Sequence, residues 1–176
     1  MQTYLVLTII ADDRPGLVDL LAATIGAHSG NWLESNMSQL AGKFAGILRV
    51  SVAADGAAAL VAALNALSTS GAGMKLVIEQ VDGTEKTNGA DVAREALTLE
   101  LVANDRPGIV SEISRTLAEL AVNVESLTSF CEPAPMSGEP LFRARVELSM
   151  PAALHRGELR ARLEELADDL MVEIVD

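Results

Sequence analysis

The chain has 176 residues, 49% of them hydrophobic and 22% charged, which is the balance of an ordinary globular protein of one or two domains. A formal net charge of −12 disfavours direct binding to nucleic acid, because phosphate backbones are usually met by a basic surface. The apolar runs are far shorter than the roughly 20 residues of a membrane span, and the N-terminal segment has no basic start like that of a signal peptide. The only cysteine, Cys131, favours a reducing, cytoplasmic setting.

The first half predicts the element order β-α-β-β-α-β. The segment TYLVLTII has the composition of a strand, and the segment after it has apolar residues at helical spacing, at Leu17, Leu21 and Ile25. We expect this helix to stop near Ser29-Gly30, where glycine can take a left-handed conformation. Two strands over residues 32–40 and 44–52 should follow, joined by a turn at residues 41–43.

A second helix and a last strand complete this half. The segment DGAAALVAALNALSTSG is rich in alanine, and its leucines recur at helical spacing, at Leu60, Leu64 and Leu67. Either Gly71 or Gly73 should end the helix, and MKLVIEQV has the composition of a strand. Trp32, the only tryptophan, is expected to pack in the core or in an interface.

The second half repeats the same order. EALTLELVA predicts a strand, and the helix after it should bury Ile109, Ile113 and Leu117. NVESLTSFC predicts the next strand. EPLFRARVELSM predicts another, whose period of two gives one apolar face, formed by Phe142, Ala144, Val146 and Leu148. Leucines at helical spacing predict the last helix, at Leu159, Leu163 and Leu166, and LMVEIV predicts the last strand.

One eight-residue phrase occurs twice, as ADDRPGLV at residues 11–18 and as ANDRPGIV at residues 103–110. Each copy lies where the first strand of its half ends and the first helix begins, since proline is tolerated in a first helical turn and aspartate favours the positive end of the helix dipole. The recurrence predicts an internal duplication of a unit of about 80 residues.

The predicted fold class is α+β, with two tandem ferredoxin-like βαββαβ units. Each unit should have a four-stranded antiparallel sheet with two helices on one face. We expect unit 1 over residues 1–83, a linker over residues 84–92 and unit 2 over residues 93–176, because the segment DGTEKTNGAD between the halves is polar and contains glycine.

The repeated loop is the candidate ligand site. An asparagine follows each of its glycines by 15 residues, at the start of the second strand, and we expect that strand to bring the asparagine near the loop. Unpaired N–H groups at the helix start suit a small carboxylate, the asparagine amide suits an amino-acid backbone, and the aspartate suits an ammonium group. The candidate ligand-binding residues are therefore Asp13, Gly16, Asn31, Asp105, Gly108 and Asn123.

The phrase D-R-P-G-[LI]-V with a downstream asparagine, inside a β-α-β-β-α-β unit, resembles the ACT domain. A free-standing pair of such units, with the proline-containing run SFCEPAPMSGEPLFRARVELSMPA, resembles the glycine cleavage system transcriptional repressor family. The resemblance covers essentially the whole chain and implies ligand contacts at the same six residues. Ala11 and Ala103 lie where ligand-binding members can carry a histidine. After the asparagine, NWLES and NVES differ in length by one residue, a departure from the repeat that bears on the geometry of at least one of the two sites.

The resemblance implies a non-catalytic regulatory protein that senses a small amino acid, glycine or serine first. It would modulate a regulatory protein partner, in transcriptional control of glycine cleavage, and we expect a homodimer. No cofactor is predicted, and no direct contact with nucleic acid or with a membrane.

Other interpretations remain open. The loop can be a helix start and nothing more, with the asparagines as turn residues, in which case the chain is a protein–protein adaptor without a small-molecule ligand. An acylphosphatase-like enzyme is a remote alternative, because the Val-Gln-Gly loop of those enzymes is absent and no nucleophile has a base partner: His28, His155 and Cys131 are isolated in the sequence.

Two further pairs of charged residues have simple interpretations. Asp12 and Asp13 lack the additional oxygen ligands of a metal site, so no metal is predicted. Arg143 and Arg145 are expected to pair with acidic residues across a subunit or domain sheet, or to form a surface for a partner.

Overall fold

A computed structural model of the chain describes residues 1–69, 73–81, 93–135 and 138–175. The chain divides into two compact units, Met1–Lys86 and Thr87–Asp176. The linker predicted at residues 84–92 and the helix end predicted at Gly71 lie outside the described residues. None of the described helices is long and apolar enough to cross a membrane.

Unit 1 has the predicted element order. Its elements are β1 (Gln2–Asp12), α1 (Leu17–Ala27), β2 (Asn31–Leu40), β3 (Lys43–Ala53), α2 (Ala57–Thr69) and β4 (Met74–Val81). The sheet order is β2-β3-β1-β4, and all neighbouring strands are antiparallel. Since β1 and β2 both run antiparallel to β3, they are parallel to each other, with α1 as the crossover between them.

The core of unit 1 lies between the sheet and its two helices. Alternate residues of β1 are fully buried on the helix side, at Leu5, Leu7 and Ile9. The predicted helical faces are confirmed, because the buried helix residues are Leu17, Leu21, Ile25, Leu60 and Leu64, with Leu67 packed at their edge. Each such leucine or isoleucine contributes about 1.5–3 kcal/mol to stability through burial.

The end of α1 differs from the prediction in which residue is left-handed. Ser29, and not Gly30, has a positive φ, of 56°. Gly30 is needed for a different reason, because a Cβ there would lie 2.9 Å from Cγ2 of Ile25. The N–H of Gly30 donates to the Ile25 carbonyl oxygen at 2.9 Å and so closes the helix end.

The β2–β3 turn has two residues, one fewer than predicted. Ala41 and Gly42 have φ values of 50° and 77°. Two consecutive positive φ values indicate a type I′ turn, whose twist matches that of the strands it joins.

Unit 2 repeats the architecture. Its elements are β5 (Arg94–Asn104), α3 (Ile109–Glu119), β6 (Asn123–Pro133), β7 (Pro140–Pro151), α4 (Arg156–Glu164) and β8 (Met171–Val175). The sheet order, β6-β7-β5-β8, is that of unit 1, and the neighbouring strands are again antiparallel. The predicted alternation of β7 is confirmed by the buried residues Phe142, Ala144, Val146 and Leu148.

Two expectations for unit 2 need correction. Arg145 pairs with Glu100 at 2.8 Å and Arg143 pairs with Glu132, so the acidic partners lie on neighbouring strands of the same sheet. They do not lie across a domain or subunit boundary, because adjacent strands already place opposite charges side by side. The last helix ends at Glu164, so Leu166 packs against the core from the turn that follows.

Candidate ligand-binding loops

The two repeated loops lie at the ends of β1 and β5, where α1 and α3 begin. Gly16 and Gly108 are the N-cap residues, and their φ values are 90° and 93°. An L-residue with a side chain rarely adopts this left-handed conformation, so the backbone requires glycine at both positions. The space beside Gly16 is open, since no atom lies within 4 Å of where its Cβ would be.

A backbone hydrogen bond ties each loop to the neighbouring hairpin. The N–H of Asp13 donates to the Gly42 carbonyl oxygen at 2.9 Å, and the N–H of Asp105 donates to the Pro140 carbonyl oxygen at 2.9 Å. The carboxylates of both aspartates are left exposed. Each loop therefore has a fixed backbone and a negative charge on the solvent side.

The helix starts beside these carboxylates carry no side-chain cap. Glycine has no side chain to accept from the first-turn N–H groups, and neither helix shows a cap hydrogen bond. Uncapped N–H groups at a helix N-terminus attract anions, through hydrogen bonding and the helix dipole together. Each loop thus combines donors for an anion with an exposed carboxylate.

The asparagines do not lie near the loops of their own units, so that expectation is wrong. Asn31 pairs with Ser51, which pairs with Tyr4 near the beginning of β1, whereas the loop follows Asp12 at its end. The eight residues from Tyr4 to Asp12 span about 26 Å at about 3.3 Å per residue. Unit 2 has the same arrangement. Asn123 pairs with Ser149, which pairs with Ala96 near the beginning of β5.

The expected difference between NWLES and NVES is also absent from the backbone. The pairing of β2 with β3 skips Leu33, and the pairing of β6 with β7 skips Glu125. Both bulges fall two residues after the asparagine, so the strands keep the same register in the two units. Glu34 therefore corresponds to Ser126, and not to Glu125.

Unit 2 adds an ion pair to its loop. Arg106 donates to both carboxylate oxygens of Glu112, at 2.8 and 2.5 Å, and these hydrogen bonds lower the pKa of Glu112. At the corresponding place in α1, unit 1 carries Leu20. Arg106 is therefore held by α3, which is a difference between two loops with nearly the same sequence.

Cys131 is a neighbour of the unit 2 loop that sequence reasoning did not place there. Desolvation of the thiol, together with the charge of Asp105 and a hydrogen bond to it, raises the pKa of Cys131, although the residue is exposed. A thiol with a raised pKa is a poor nucleophile at neutral pH. The strand pairing puts it there, because Cys131 lies opposite Phe142, which lies opposite Ala103 beside the loop.

The histidines and acidic residues have local structural settings. Nδ1 of His28 lies 2.9 Å from the Thr24 carbonyl oxygen at the end of α1, and His155 is the N-cap of α4. Asp12 pairs with Lys43 across the strands, which lowers the pKa of that carboxyl. Over residues 1–69, 73–81, 93–135 and 138–175, no group of three or more possible metal ligands comes together.

Both halves of the chain are similar to known proteins. Models of the ACT domain match residues 3–78 and residues 97–167. The structure of an unknown protein from Galdieria sulphuraria is 26% identical, covers 100% of both chains and has a TM-score of 0.78. That of a candidate glycine cleavage system transcriptional repressor is 12% identical, covers 100% of this chain and 99% of its own, and has a TM-score of 0.69, a likeness of fold alone. No curated protein matches the sequence.

Proposed function

The chain belongs to the ACT-domain family, with one ACT domain in each half, and on this basis we propose that it is a non-catalytic regulatory protein that senses a small amino acid. The observation that carries the proposal is the pair of uncapped helix starts. Each has an exposed aspartate three residues before its N-cap glycine.

The loop chemistry suits a zwitterion. The carboxylate of an amino acid would accept from the first-turn N–H groups of α1 or α3, and its ammonium group would face Asp13 or Asp105. A Cβ at Gly16 would meet no atom within 4 Å, so a small ligand such as glycine or serine could approach the loop backbone there. In unit 2 the carboxylate would rely on the N–H groups, because Arg106 is already engaged by Glu112.

The proposed contribution of Asn31 and Asn123 would come from a homodimer. Within one unit, a small amino acid is too short to reach both the loop and the asparagine, about 26 Å away. In such a dimer, an asparagine would take part where the second strand of one protomer starts beside a loop of its partner. We therefore infer that two copies of the chain associate, and that the ligand stabilises this association.

Regulation follows if the ligand favours one arrangement of the protein over another. Coupling between a ligand and a partner is typically worth about 1–3 kcal/mol. We propose a regulatory protein partner in the transcriptional control of glycine cleavage. The net charge of −12 disfavours direct contact with DNA, so the effect on transcription would run through that partner.

The test is a thermal-shift scan of the twenty amino acids, followed by calorimetric titration of those that raise Tm. Glycine or serine should bind, and Asp13→Asn or Asp105→Asn should weaken binding by about tenfold or more, since a hydrogen bond to a charged group is worth about 1.5–3 kcal/mol. Glu79→Gln is the matched control, because Glu79 is exposed and lies opposite Val6 on the edge strand β4, away from the loop and from the start of β2.

Two outcomes would contradict the proposal. If none of the twenty amino acids binds, the loops are helix starts and the adaptor without a small-molecule ligand becomes the better description. If an amino acid binds with unchanged affinity in both loop variants, its site lies elsewhere. The inferred dimer has its own measurement, sedimentation with and without ligand, in which Asn31→Ala and Asn123→Ala should reduce the ligand effect.

A further inference from the structure

Unit 2 contains an apolar cavity of about 300 Å³ between α3 and the edge strand β6. Its walls are side chains of β5, α3 and β7 that are at least 94% buried: Leu101, Ile113, Leu117, Phe142, Ala144 and Val146. The volume is at the lower end of the range of small-molecule pockets and exceeds the roughly 150 Å³ of an apolar cavity that binds benzene.

The mouth of the cavity is formed by three apolar residues that are 40–48% exposed, Val110, Val124 and Leu127. Among the described residues that line the cavity, Ser114 alone has a polar side chain, and it is exposed. A charged group would find no partner inside, so the cavity suits an uncharged apolar body with any polar atom directed outwards.

Each position on β6 can be matched to a position on β2 of unit 1, because β2 pairs with β3 in the same register as β6 pairs with β7. Met37 lies opposite Gly46, and Gly46 lies opposite Ile9. Ser129 likewise lies opposite Ala144, and Ala144 lies opposite Leu101. Met37 therefore corresponds to Ser129. With the bulges at the same position, Trp32 corresponds to Val124.

Unit 1 places large side chains at these two positions. Trp32 and Met37 both pack against the core, and the indole Nε1 of Trp32 donates to Oγ of Ser35 at 3.3 Å. Ser35 pairs with the buried Leu48, so the indole ring extends along the helix-facing side of β2. Unit 2 has the shorter Val124 and Ser129 at the same two positions, and the cavity lies beside Val124.

We propose that this cavity binds a small aromatic molecule, whose ring occupies the place that the Trp32 indole has in unit 1. The chain itself indicates the class of ligand, because an indole ring is what the same fold packs at the equivalent position. The proposal does not rest on amino-acid sensing at the loops, since it uses neither Asp105 nor the N–H groups of the helix start.

The first experiment is a titration of the full chain with indole, followed by methyl NMR. Saturable shifts are expected for the methyl groups of Ile113, Val124 and Leu127, and Asp105→Asn should leave them unchanged. Val124→Trp, which gives unit 2 the residue of unit 1, should weaken indole binding by about tenfold or more, because the added ring fills the same space. Val77→Trp is the matched control, since Val77 is 58% exposed on the opposite face of the unit 1 sheet.

The reverse exchange supplies an independent test. Trp32→Val should open the equivalent place in unit 1 and produce a second set of indole-dependent shifts, at Leu21 and Ile25 on α1. If Val124→Trp does not fold, Leu127→Trp, at a second residue of the cavity mouth, provides another filling variant. Absence of shifts at the unit 2 methyl groups up to the solubility limit of indole overturns the proposal, as does unchanged affinity in the folded filling variants.

Discussion

The loop glycines are explained by backbone conformation before any ligand is considered. Gly16 has a φ of 90° with open space around its Cβ position, so a side chain there is disfavoured by the backbone and not by a neighbour. A bulky substitution at this position would therefore perturb the helix start as well as any binding. Variants of the aspartates, which leave the backbone unchanged, separate these two effects.

Two glycines of unit 1 make this distinction measurable. Gly16→Ala should destabilise the protein by about 1–2 kcal/mol, because alanine is forced into the left-handed region. Gly26→Ala is the control within the same region of the chain. It lies inside α1 with open space around it, and alanine there should raise the free energy of unfolding by about 0.5–1 kcal/mol. Urea unfolding of both variants is the measurement, and equal stabilities would contradict the conformational argument.

The Arg106–Glu112 pair predicts a pH dependence. Its hydrogen bonds lower the pKa of Glu112 in the folded protein, so the pair stabilises the fold above the unfolded pKa, near 4.5. This contribution is lost as pH falls through the lowered folded value. Glu112→Gln should thus lower Tm at neutral pH, and its difference from the wild type should shrink below about pH 4.

Glu158→Gln is the control for that measurement. Glu158 is also in the first turn of a helix, and it shows no ion pair within the described part of the chain. A Tm difference for Glu112→Gln that stays constant from neutral to acid pH would contradict the assigned role of the pair.

The helices and strands could be predicted from the sequence because their signals are local. Alternation along β7 and helical spacing in α1 and α3 appear within about a dozen residues, and burial confirms them. The position of Asn31 depends on strand direction instead. A parallel crossover brings the chain back to the end where β1 began, so the asparagine starts far from the loop. The distance between Asn31 and the loop therefore follows from the sheet topology.

Other features depended on pairing between distant strands. Matching NWLES to NVES by residue identity would pair Glu34 with Glu125, but the bulges match Glu34 with Ser126. Cys131 reaches the Asp105 loop only through the order of β6, β7 and β5 in the sheet. The hydrogen-bond register between two strands cannot be derived from the sequence of one strand alone. Neither the Glu34–Ser126 correspondence nor the position of Cys131 could therefore be predicted from the sequence.

The β2–β3 turn offers a prediction for the hairpin as an element. Ala41 has a φ of 50°, a conformation that asparagine tolerates better than alanine, and Asn-Gly is a preferred pair for a type I′ turn. Ala41→Asn should stabilise unit 1 by up to about 1 kcal/mol in urea unfolding. Ala53→Asn, at the exposed end of β3, is the control and should not stabilise. A loss of stability in Ala41→Asn would count against the turn assignment.

At the scale of the whole molecule, the two hydrophobic cores share no residue among those that the structure describes. Leu7 is fully buried in the core of unit 1, and Leu99 is fully buried at the corresponding position of unit 2. Truncation of either side chain to alanine should lower the free energy of unfolding of its own unit by about 2–5 kcal/mol. Local stability is thus expected to change in one half at a time.

Hydrogen exchange tests this separation. Leu7→Ala should reduce the protection of core amides in residues 1–81 and leave those in residues 93–175 unchanged, and Leu99→Ala should do the opposite. The two variants serve as controls for each other. An equal loss of protection in both halves after either substitution would contradict independent cores.

Separate cores also bear on how a duplicated chain can diverge. A core substitution in one copy changes the packing of that core, so each core can accumulate changes that the other core does not have to accommodate. The edge strands illustrate this freedom: one copy has Trp32 and Met37 packed against its core, while the other has Val124 and Ser129 at the same places. Duplication followed by independent drift gives a single polypeptide two related scaffolds, one with the position filled and one with it open.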